Sequence, residues 1–262
     1  MSPPAGPAAA PVLDLTPAPG AAPPVRRVLR HARIEATLLV RNGEQLLLAL
    51  VIPVGLLVLG RIIGGSFGDL SVLAPSVLAL AVWSSAFTSV AISTGFERRY
   101  GVLERLACTP LGRAGLLTGK ALATGVVVLG QLVVIGAVAL ALGWRPTGTP
   151  LGGLLSVVAI LLAGIAFSGL ALALAGRLRA EATLASANVI YVLLLAGGAL
   201  VLPLDSYPGV LQYVIALLPT AALGEGLRAY AIGGVPLWPL LSLLIWSALG
   251  LLAAWKGFRW TS

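Results

Sequence analysis

The chain has 262 residues and a net charge of +8; 58% of its residues are hydrophobic, only 10% are charged, and the mean hydropathy is +1.01. Because a soluble domain carries about 25% charged residues, this composition excludes a soluble globular protein and indicates a membrane protein. A single cysteine, Cys108, and a single histidine, His31, exclude an internal disulfide and a Cys/His metal centre.

The N-terminal region divides into two parts. Residues 1–24 are rich in Pro and Ala and lack the features of a signal peptide, so we predict a disordered cytoplasmic tail. Residues 25–45 place apolar side chains at near-helical spacing among arginines, which predicts an amphipathic helix on the cytoplasmic membrane surface, in contact with anionic lipids. The candidate residues of this helix are Arg26, Arg27, Arg30 and Arg33. Alternatively, they only orient the chain in the membrane.

Six apolar runs are long enough to cross the hydrocarbon core of a bilayer, which takes about 20 helical residues. They lie near residues 46–63, 70–94, 115–142, 151–176, 183–204 and 237–255. The sequence therefore predicts an all-α polytopic membrane protein with six transmembrane helices.

The basic residues are distributed unequally around these predicted spans. If the chain begins in the cytoplasm, 14 of its 17 Lys and Arg residues lie on the cytoplasmic side, and only Arg61, Arg145 and Arg228 lie on the other. Because cytoplasmic loops retain Lys and Arg, we predict a multi-pass protein of the cell membrane with both termini in the cytoplasm.

The longest predicted outer segment covers residues 205–236. Its apolar run, 210–218, is too short to span the bilayer and is closed by Pro219, so we predict a re-entrant or interfacial element between spans 5 and 6. The candidate residues of this outer segment are Pro203, Pro219, Glu225 and Arg228.

The distribution of acidic residues limits the chemistry of the spans. All nine Asp and Glu residues lie outside the predicted spans or at their margins. A carboxylate within a span usually marks a proton or ion site, so a proton-coupled secondary transporter, an intramembrane protease and a metal-dependent membrane enzyme are disfavoured.

A few polar side chains do lie within the predicted spans. Those that could line a substrate pathway are Ser85, Thr88, Gln131 and Asn188. The alternative is that each makes hydrogen bonds between helices, as polar residues in membranes commonly do. The pairs Gly60/Gly64 and Gly115/Gly119 predict close helix packing.

The basic loop between spans 2 and 3, residues 96–113, is the most informative segment. Residues 97–106 can form a short helix with outward-facing charges, Leu103, Leu106 and Leu111 can pack inward, and Thr109-Pro110 ends the helix. This pattern predicts either a structured loop that docks onto a soluble partner or a solvated loop that only sets topology.

This loop resembles the signature of the type-2 permeases of ATP-binding-cassette transporters, E-x-x-x-G-T-L-E-x-L-x-x-T-P-x-x-R. The matching residues are Glu97, Gly101, Leu103, Glu104, Leu106, Thr109, Pro110 and Arg113. Val102 replaces the usual Thr. The resemblance extends to the helix before span 1 and to the outer segment, and it implies that residues 46–262 form a six-span permease domain.

The resemblance also implies partners and a mechanism. Two ATP-hydrolysing subunits would bind ATP and Mg²⁺, and a second permease chain, identical or related, would complete the pathway; membrane lipids are the other expected contact and nucleic acid is not expected. The segment 97–106 would be the coupling helix that contacts the ATPase subunit. Its residues are Glu97, Arg98, Arg99, Tyr100, Gly101, Leu103, Glu104, Arg105 and Leu106.

The chain itself is not expected to be an enzyme or to hold a cofactor. Gly119-Lys120 resembles part of a phosphate-binding loop, but Ala114 and Ala121 replace two of its required residues. The resulting hypothesis is the permease of an ATP-driven exporter for hydrophobic drug-like or lipid-like molecules, with a role in multidrug export and antibiotic resistance. The alternatives are a polysaccharide or lipid-linked glycan exporter and a non-transporting membrane assembly protein.

Overall fold

The computed structural model describes residue 20, residues 22–65 and residues 69–257, without the side chains of residues 44–46 and 48. Most of the predicted disordered tail, residues 1–19 and residue 21, lies outside the described residues. The same is true of Arg259, which entered the count of cytoplasmic charges.

All regular structure in the described part of the chain is helical. The N-terminal half contains α1 (Pro24–Arg41), α2 (Gly43–Ile63), α3 (Leu70–Trp83), a π-helical segment (Ser84–Ser89), α4 (Val90–Arg99), α5 (Val102–Ala107) and α6 (Gly112–Ala141). The C-terminal half contains α7 (Pro150–Ala175), α8 (Ala180–Gly197), a 3₁₀ turn (Leu204–Ser206), α9 (Gly209–Ala216), α10 (Pro219–Ala231) and α11 (Trp238–Gly257).

Among the described residues, five helical segments are long and apolar enough to cross a membrane. One is the continuous segment Leu70–Arg99, formed by α3, the π-helical segment and α4; the others are α6, α7, α8 and α11. They coincide with the second to sixth predicted spans, except that the fifth ends at Gly197 and not at residue 204. Gly198 leaves the helical conformation there, and Ala199 follows with a φ of 51°.

The structure gives five such helices, or six if the α9–α10 pair is counted as one span. That pair bends by 97° at Leu217–Leu218, as a broken span or a re-entrant segment would. The first predicted span lies on α2, in which the fully described apolar stretch, Ala49–Ile63, is shorter than the five. The count of six therefore stays a prediction.

The predicted amphipathic helix of residues 25–45 is shorter in the structure. It begins at Pro24 and ends at Arg41, because Asn42 leaves the helical conformation and donates its backbone N–H to the Leu38 carbonyl. Residues 43–45 already belong to α2.

The core surrounds α3, in which ten of 14 residues are buried. Next to it the rings of Trp83 and Phe87 stack at 4.4 Å, and Phe167 of α7 meets Trp83 edge-on at 4.8 Å. Such aromatic pairs stabilise a core beyond their buried area, so the segment Leu70–Arg99 is the centre of the fold.

Helices α7 and α11 approach each other most closely where two glycines meet. A Cβ atom on Gly169 would overlap the backbone of Gly250, and one on Gly250 would lie 2.6 Å from the Ala166 carbonyl oxygen. Small residues that allow backbones to touch are typical of helix pairs in membranes.

Contacts at the helix ends define two faces of the protein. On the basic face, Arg98 lies near the end of α7, Arg99 pairs with Glu181 at the start of α8, and Arg113 donates to the Ala254 carbonyl of α11. On the opposite face, α10 meets the start of α7. A Cβ atom on Gly152 of α7 would lie 2.7 Å from the Tyr230 carbonyl oxygen of α10. Successive long helices therefore run in opposite directions; the predicted topology and which face is cytoplasmic stay predictions.

We expect Gly169→Ala to lower the stability of the protein, because overpacking at a close contact costs about 1–3 kcal/mol. Gly164→Ala in the same helix is the matched control, since a Cβ there meets no atom within 4 Å; it should be neutral or stabilising by about 0.5–1 kcal/mol. Thermal unfolding of the purified variants tests both, and equal melting temperatures would contradict the close contact.

Candidate functional site

The predicted coupling segment forms two helices and not one. Helix α4 ends at Arg99, the chain turns at Tyr100 and Gly101, and α5 covers only Val102–Ala107. Gly101 has a φ of 68°, a left-handed conformation that costs a glycine little. The predicted continuous helix over 97–106 is therefore wrong, because this turn redirects the chain.

Helix α5 presents charged side chains outward from a buried base. Leu103 is fully buried, and Leu106 and Leu111 pack beside it, as the sequence predicts. Tyr100, Glu104 and Arg105 are exposed. The helix is thus fixed to the protein on one side and free on the other.

The arginines that precede α5 contact neighbouring helices. Arg98 donates to the carbonyls of Ala175 and Leu178, at 3.4 and 3.3 Å, where α7 ends. A cation at a helix C-terminus is stabilised by the unpaired carbonyls and the helix dipole. Together with the Arg99–Glu181 ion pair, this contact fixes the base of α5 on α7 and α8.

Glu97 lies in a buried charge cluster that connects three helices. Lys120 of α6, only 4% exposed, donates to the carboxylates of Glu97 at 2.7 Å and of Glu35, on α1, at 3.1 Å. The His31 ring lies 3.6 Å from the Glu35 carboxylate. We define His31, Glu35, Glu97 and Lys120 as the charge cluster.

Close packing of α1 on α6 keeps the charge cluster from water. The His31 ring covers Gly119, where a Cβ would overlap it, and Val28 lies against Gly115. This confirms the predicted close packing at Gly115/Gly119. Burial lowers the pKa of His31, and Lys120 lowers it further, while Glu35 acts in the opposite direction.

A cleft extends from the charge cluster along α6. Its walls come from α1, α2, the central segment Leu70–Arg99 and α6, and its cavity volume is about 40 Å³. Glu35 and Lys120 line one end and Gln131 the other, with Ser89 and Thr124 between them. We call this space the α6 cleft.

The structure brings together two of the four predicted pathway residues. Ser85 of the π-helical segment donates to the Gln131 side chain at 2.6 Å, and both line the α6 cleft. Thr88 is half-buried in the same segment and is not among the residues lining that cleft. Asn188 is exposed on α8, a different helix.

The candidate residues of the opposite face form a second buried polar contact. Arg228 of α10 donates to Ser76 of α3, to the carbonyls of Ala199 and Leu200, and to Glu225, at distances of 2.7 to 2.9 Å. Glu225 also accepts the backbone N–H of Leu204 at 2.7 Å. The pair therefore fixes α10 against the centre of the fold.

The two candidate prolines of this face lie at element boundaries. Pro219 is the first residue of α10 and is buried, and Pro203 precedes the 3₁₀ turn. On α1, Arg26, Arg30 and Arg33 are exposed, whereas Arg27 is half-buried.

The sequence does not predict the charge cluster as a unit. Glu97 falls in the predicted docking helix, Lys120 in the predicted span 115–142, and Glu35 in the predicted surface helix. One signal was present, since Lys120 interrupts an apolar run within the predicted span 115–142. A charge within a span requires a partner, but its partners on α1 and α4 are remote in sequence.

A family model described as ABC-2 family transporter protein matches residues 65–256. Two proteins named probable doxorubicin resistance ABC transporter permease protein DrrC are each 26% identical over 208 residues, which cover 76% of this chain and 75% of theirs. They come from Mycobacterium tuberculosis strains CDC 1551 / Oshkosh and ATCC 25618 / H37Rv.

Lys120→Gln should destabilise the protein by about 3–5 kcal/mol, because it leaves two buried carboxylates without their shared cation. Adding Glu97→Gln should recover part of this loss. Lys256→Gln, at the exposed lysine of α11, is the control and should have little effect. The free energies of unfolding of the three purified variants test these expectations. Equal losses of stability in Lys120→Gln and Lys256→Gln would contradict the buried ion pairs of the charge cluster.

We expect a pH dependence of stability from His31. Because its pKa is lower in the folded protein, the unfolded chain takes up the proton first. Neutral His31 therefore makes its full contribution to the free energy of unfolding above the ordinary pKa of about 6.5. This contribution declines as the pH falls below that value toward the pKa of the folded state. Melting temperatures of the wild type and His31→Asn, measured through this range, should converge as the pH falls; parallel curves would exclude this role.

Proposed function

Because the chain belongs to the ABC-2 transporter family, we propose that it is the membrane subunit of an ATP-driven exporter and moves a hydrophobic drug-like or lipid-like molecule out of the cytoplasm or inner leaflet. The family match covers residues 65–256, and the chain is accordingly a multi-pass membrane permease. The two Mycobacterium tuberculosis relatives are named as doxorubicin resistance permeases, which supports a drug-like substrate.

The observation that carries the proposal is the position of α5. The helix projects from the basic face with Leu103 buried beneath it and Glu104 and Arg105 exposed. Since its base is fixed by Arg98 and Arg99 to α7 and α8, a displacement of α5 would be transmitted to the spans. These are the properties that a coupling helix needs.

The energy source in this proposal is a separate ATPase subunit. Two copies would bind ATP and Mg²⁺ and contact α5, and a second permease chain would complete the pathway. ATP would bind the inward- and outward-facing states of the transporter with different affinities, so its binding would change the populations of the two states. In this arrangement the basic face is cytoplasmic.

Helix α1 supports a membrane-surface role because its exposed surface is both apolar and basic. One face packs on α6 through Val28 and His31. The rest carries exposed apolar side chains and exposed arginines. The exposed apolar residues are Val25, Leu29, Ile34, Leu38 and Val40, and the exposed arginines are Arg26, Arg30, Arg33 and Arg41. Such a helix suits the boundary between acyl chains and anionic headgroups.

Glu104→Lys should lower the ATPase activity that copurifies with the permease by about tenfold or more. The substitution reverses a charge at the proposed interface, and like charges that face each other across an interface cost several kcal/mol. The measurement is vanadate-sensitive ATP hydrolysis per mole of tagged permease isolated from its native membranes. Asp205→Lys, at an exposed carboxylate of the opposite face, is the control and should retain the activity.

Two outcomes would contradict the proposal. Wild-type permease that copurifies with no ATPase would favour a non-transporting assembly protein. A Glu104→Lys variant that keeps full ATPase association and full ATP-dependent transport would exclude α5 as the coupling element.

A further inference from the structure

Two exposed arginines line a common pocket on the face opposite the basic one. Arg61 lies in the last turn of α2, and Arg145 follows the end of α6. The pocket has a volume of about 430 Å³, and Asp69, Ser71 and Trp144 are among its other lining residues. We call it the arginine pocket.

The basic residues predicted for this side of the membrane are few, and the structure uses them in two ways. Arg228 is buried and bonded to Ser76 and Glu225. Arg61 and Arg145 instead meet at the arginine pocket, and within the described part of the chain neither forms an ion pair. Two guanidinium groups that share an open pocket favour an anionic ligand.

The ends of two helices place the polar groups of the pocket. Gly143 follows α6 with a φ of 102°, and Trp144 donates its backbone N–H to the Ala139 carbonyl at 2.9 Å, which ends the helix and carries Arg145 to the pocket. Helix α3 begins at the same pocket. There the carboxylate of Asp69 accepts the backbone N–H of Ser71 at 2.9 Å and is held at the start of the helix.

The charges of the pocket match a ligand with a single negative charge. Two guanidinium groups and one carboxylate leave a net positive charge. The planar fork of a guanidinium binds phosphate oxygens in pairs. A phosphodiester carries one negative charge, whereas the second charge of a free phosphate or a phosphate monoester would be repelled by Asp69.

The surroundings of the pocket suit a lipid headgroup. It lies where α2 and α6 end and α3 begins, at the level of the membrane surface, and Trp144 is half-buried in its wall, as tryptophans at the membrane–water boundary commonly are. Directly after Arg61, Ile62 and Ile63 are 75% and 62% exposed, and Leu140 is exposed in the last turn of α6. These side chains offer an apolar surface to acyl chains.

We propose that the arginine pocket binds a membrane phospholipid, with its phosphodiester between Arg61 and Arg145 and its acyl chains beside the exposed apolar residues of α2 and α6. The lipid is a bound partner that joins the ends of α2 and α6 to the start of α3. The inference does not rest on the proposed export function, because binding requires neither ATP nor the ATPase subunit.

The test measures protection of a thiol introduced into the pocket. Ser71→Cys is combined with Cys108→Ser, which removes the exposed native thiol, and the full-length protein in a neutral detergent reacts with N-ethylmaleimide, an uncharged reagent. Dihexanoylphosphatidylglycerol, a phospholipid with one negative charge, should slow this reaction about tenfold at ten times its dissociation constant, because about one pocket in eleven is then free. Asp205→Cys, at an exposed residue of the same face, is the control and should react equally fast with and without the lipid.

Two further ligands identify the chemistry that is recognised. Dihexanoylglycerol has the same acyl chains without the phosphate and should not protect the thiol; equal protection by both lipids would mean that only acyl chains bind, which overturns the proposal. Inorganic phosphate at the same concentrations should not protect it either. Protection by phosphate would identify a site for the free anion and overturn the lipid assignment.

Substitution of the two arginines locates the site. Arg61→Gln and Arg145→Gln, each added to the Ser71→Cys protein, should raise the lipid concentration that gives half-maximal protection by about tenfold, since each removes a charge-assisted contact with the phosphate. Arg33→Gln, at an exposed arginine of α1 on the basic face, is the matched control and should leave it unchanged. Unchanged protection in either pocket variant would overturn the proposal, and the comparison of the two lipids remains decisive if a variant does not fold.

Discussion

The burial of Lys120 is the constraint on which the basic half of this structure depends. A lysine near one end of α6 that is only 4% exposed requires carboxylate partners, since an unpaired ammonium is expensive in a membrane protein. Glu35 and Glu97 supply them from α1 and α4. The same requirement brings α1 onto α6, where Gly115 and Gly119 leave room for it, and so forms a wall of the α6 cleft.

Most of the remaining buried or half-buried charges have a structural role. Arg98 satisfies carbonyls at the end of α7, and Arg113 donates to α11 and lies 5.5 Å from the Trp255 ring. On the opposite face, Arg228 joins α10 to α3 and to the turn after α8. The two faces are therefore held by directional polar contacts, whereas the middle of the fold is held by apolar and small-residue packing such as Gly169 against Gly250.

The proposed docking element lies directly beside the charge cluster. Glu97 contacts Lys120 from the last turns of α4, and Gly101, which opens α5, follows four residues later. A force applied to α5 by a partner would thus act next to the charge cluster, which joins α1, α4 and α6.

The sequence by itself determined the helical membrane class, the approximate positions of five long helices, the presence of a helix within residues 25–45 and the family signature around Glu97. It could do so because apolar length, helical spacing and short motifs are local properties. The tertiary structure decided that α4 and α5 are separate, that Glu97 contacts Lys120, and that Glu35 lies in the same cluster. These outcomes depend on side chains up to 85 positions apart in the chain, and their pairing follows from the cost of burying Lys120, which no local pattern records.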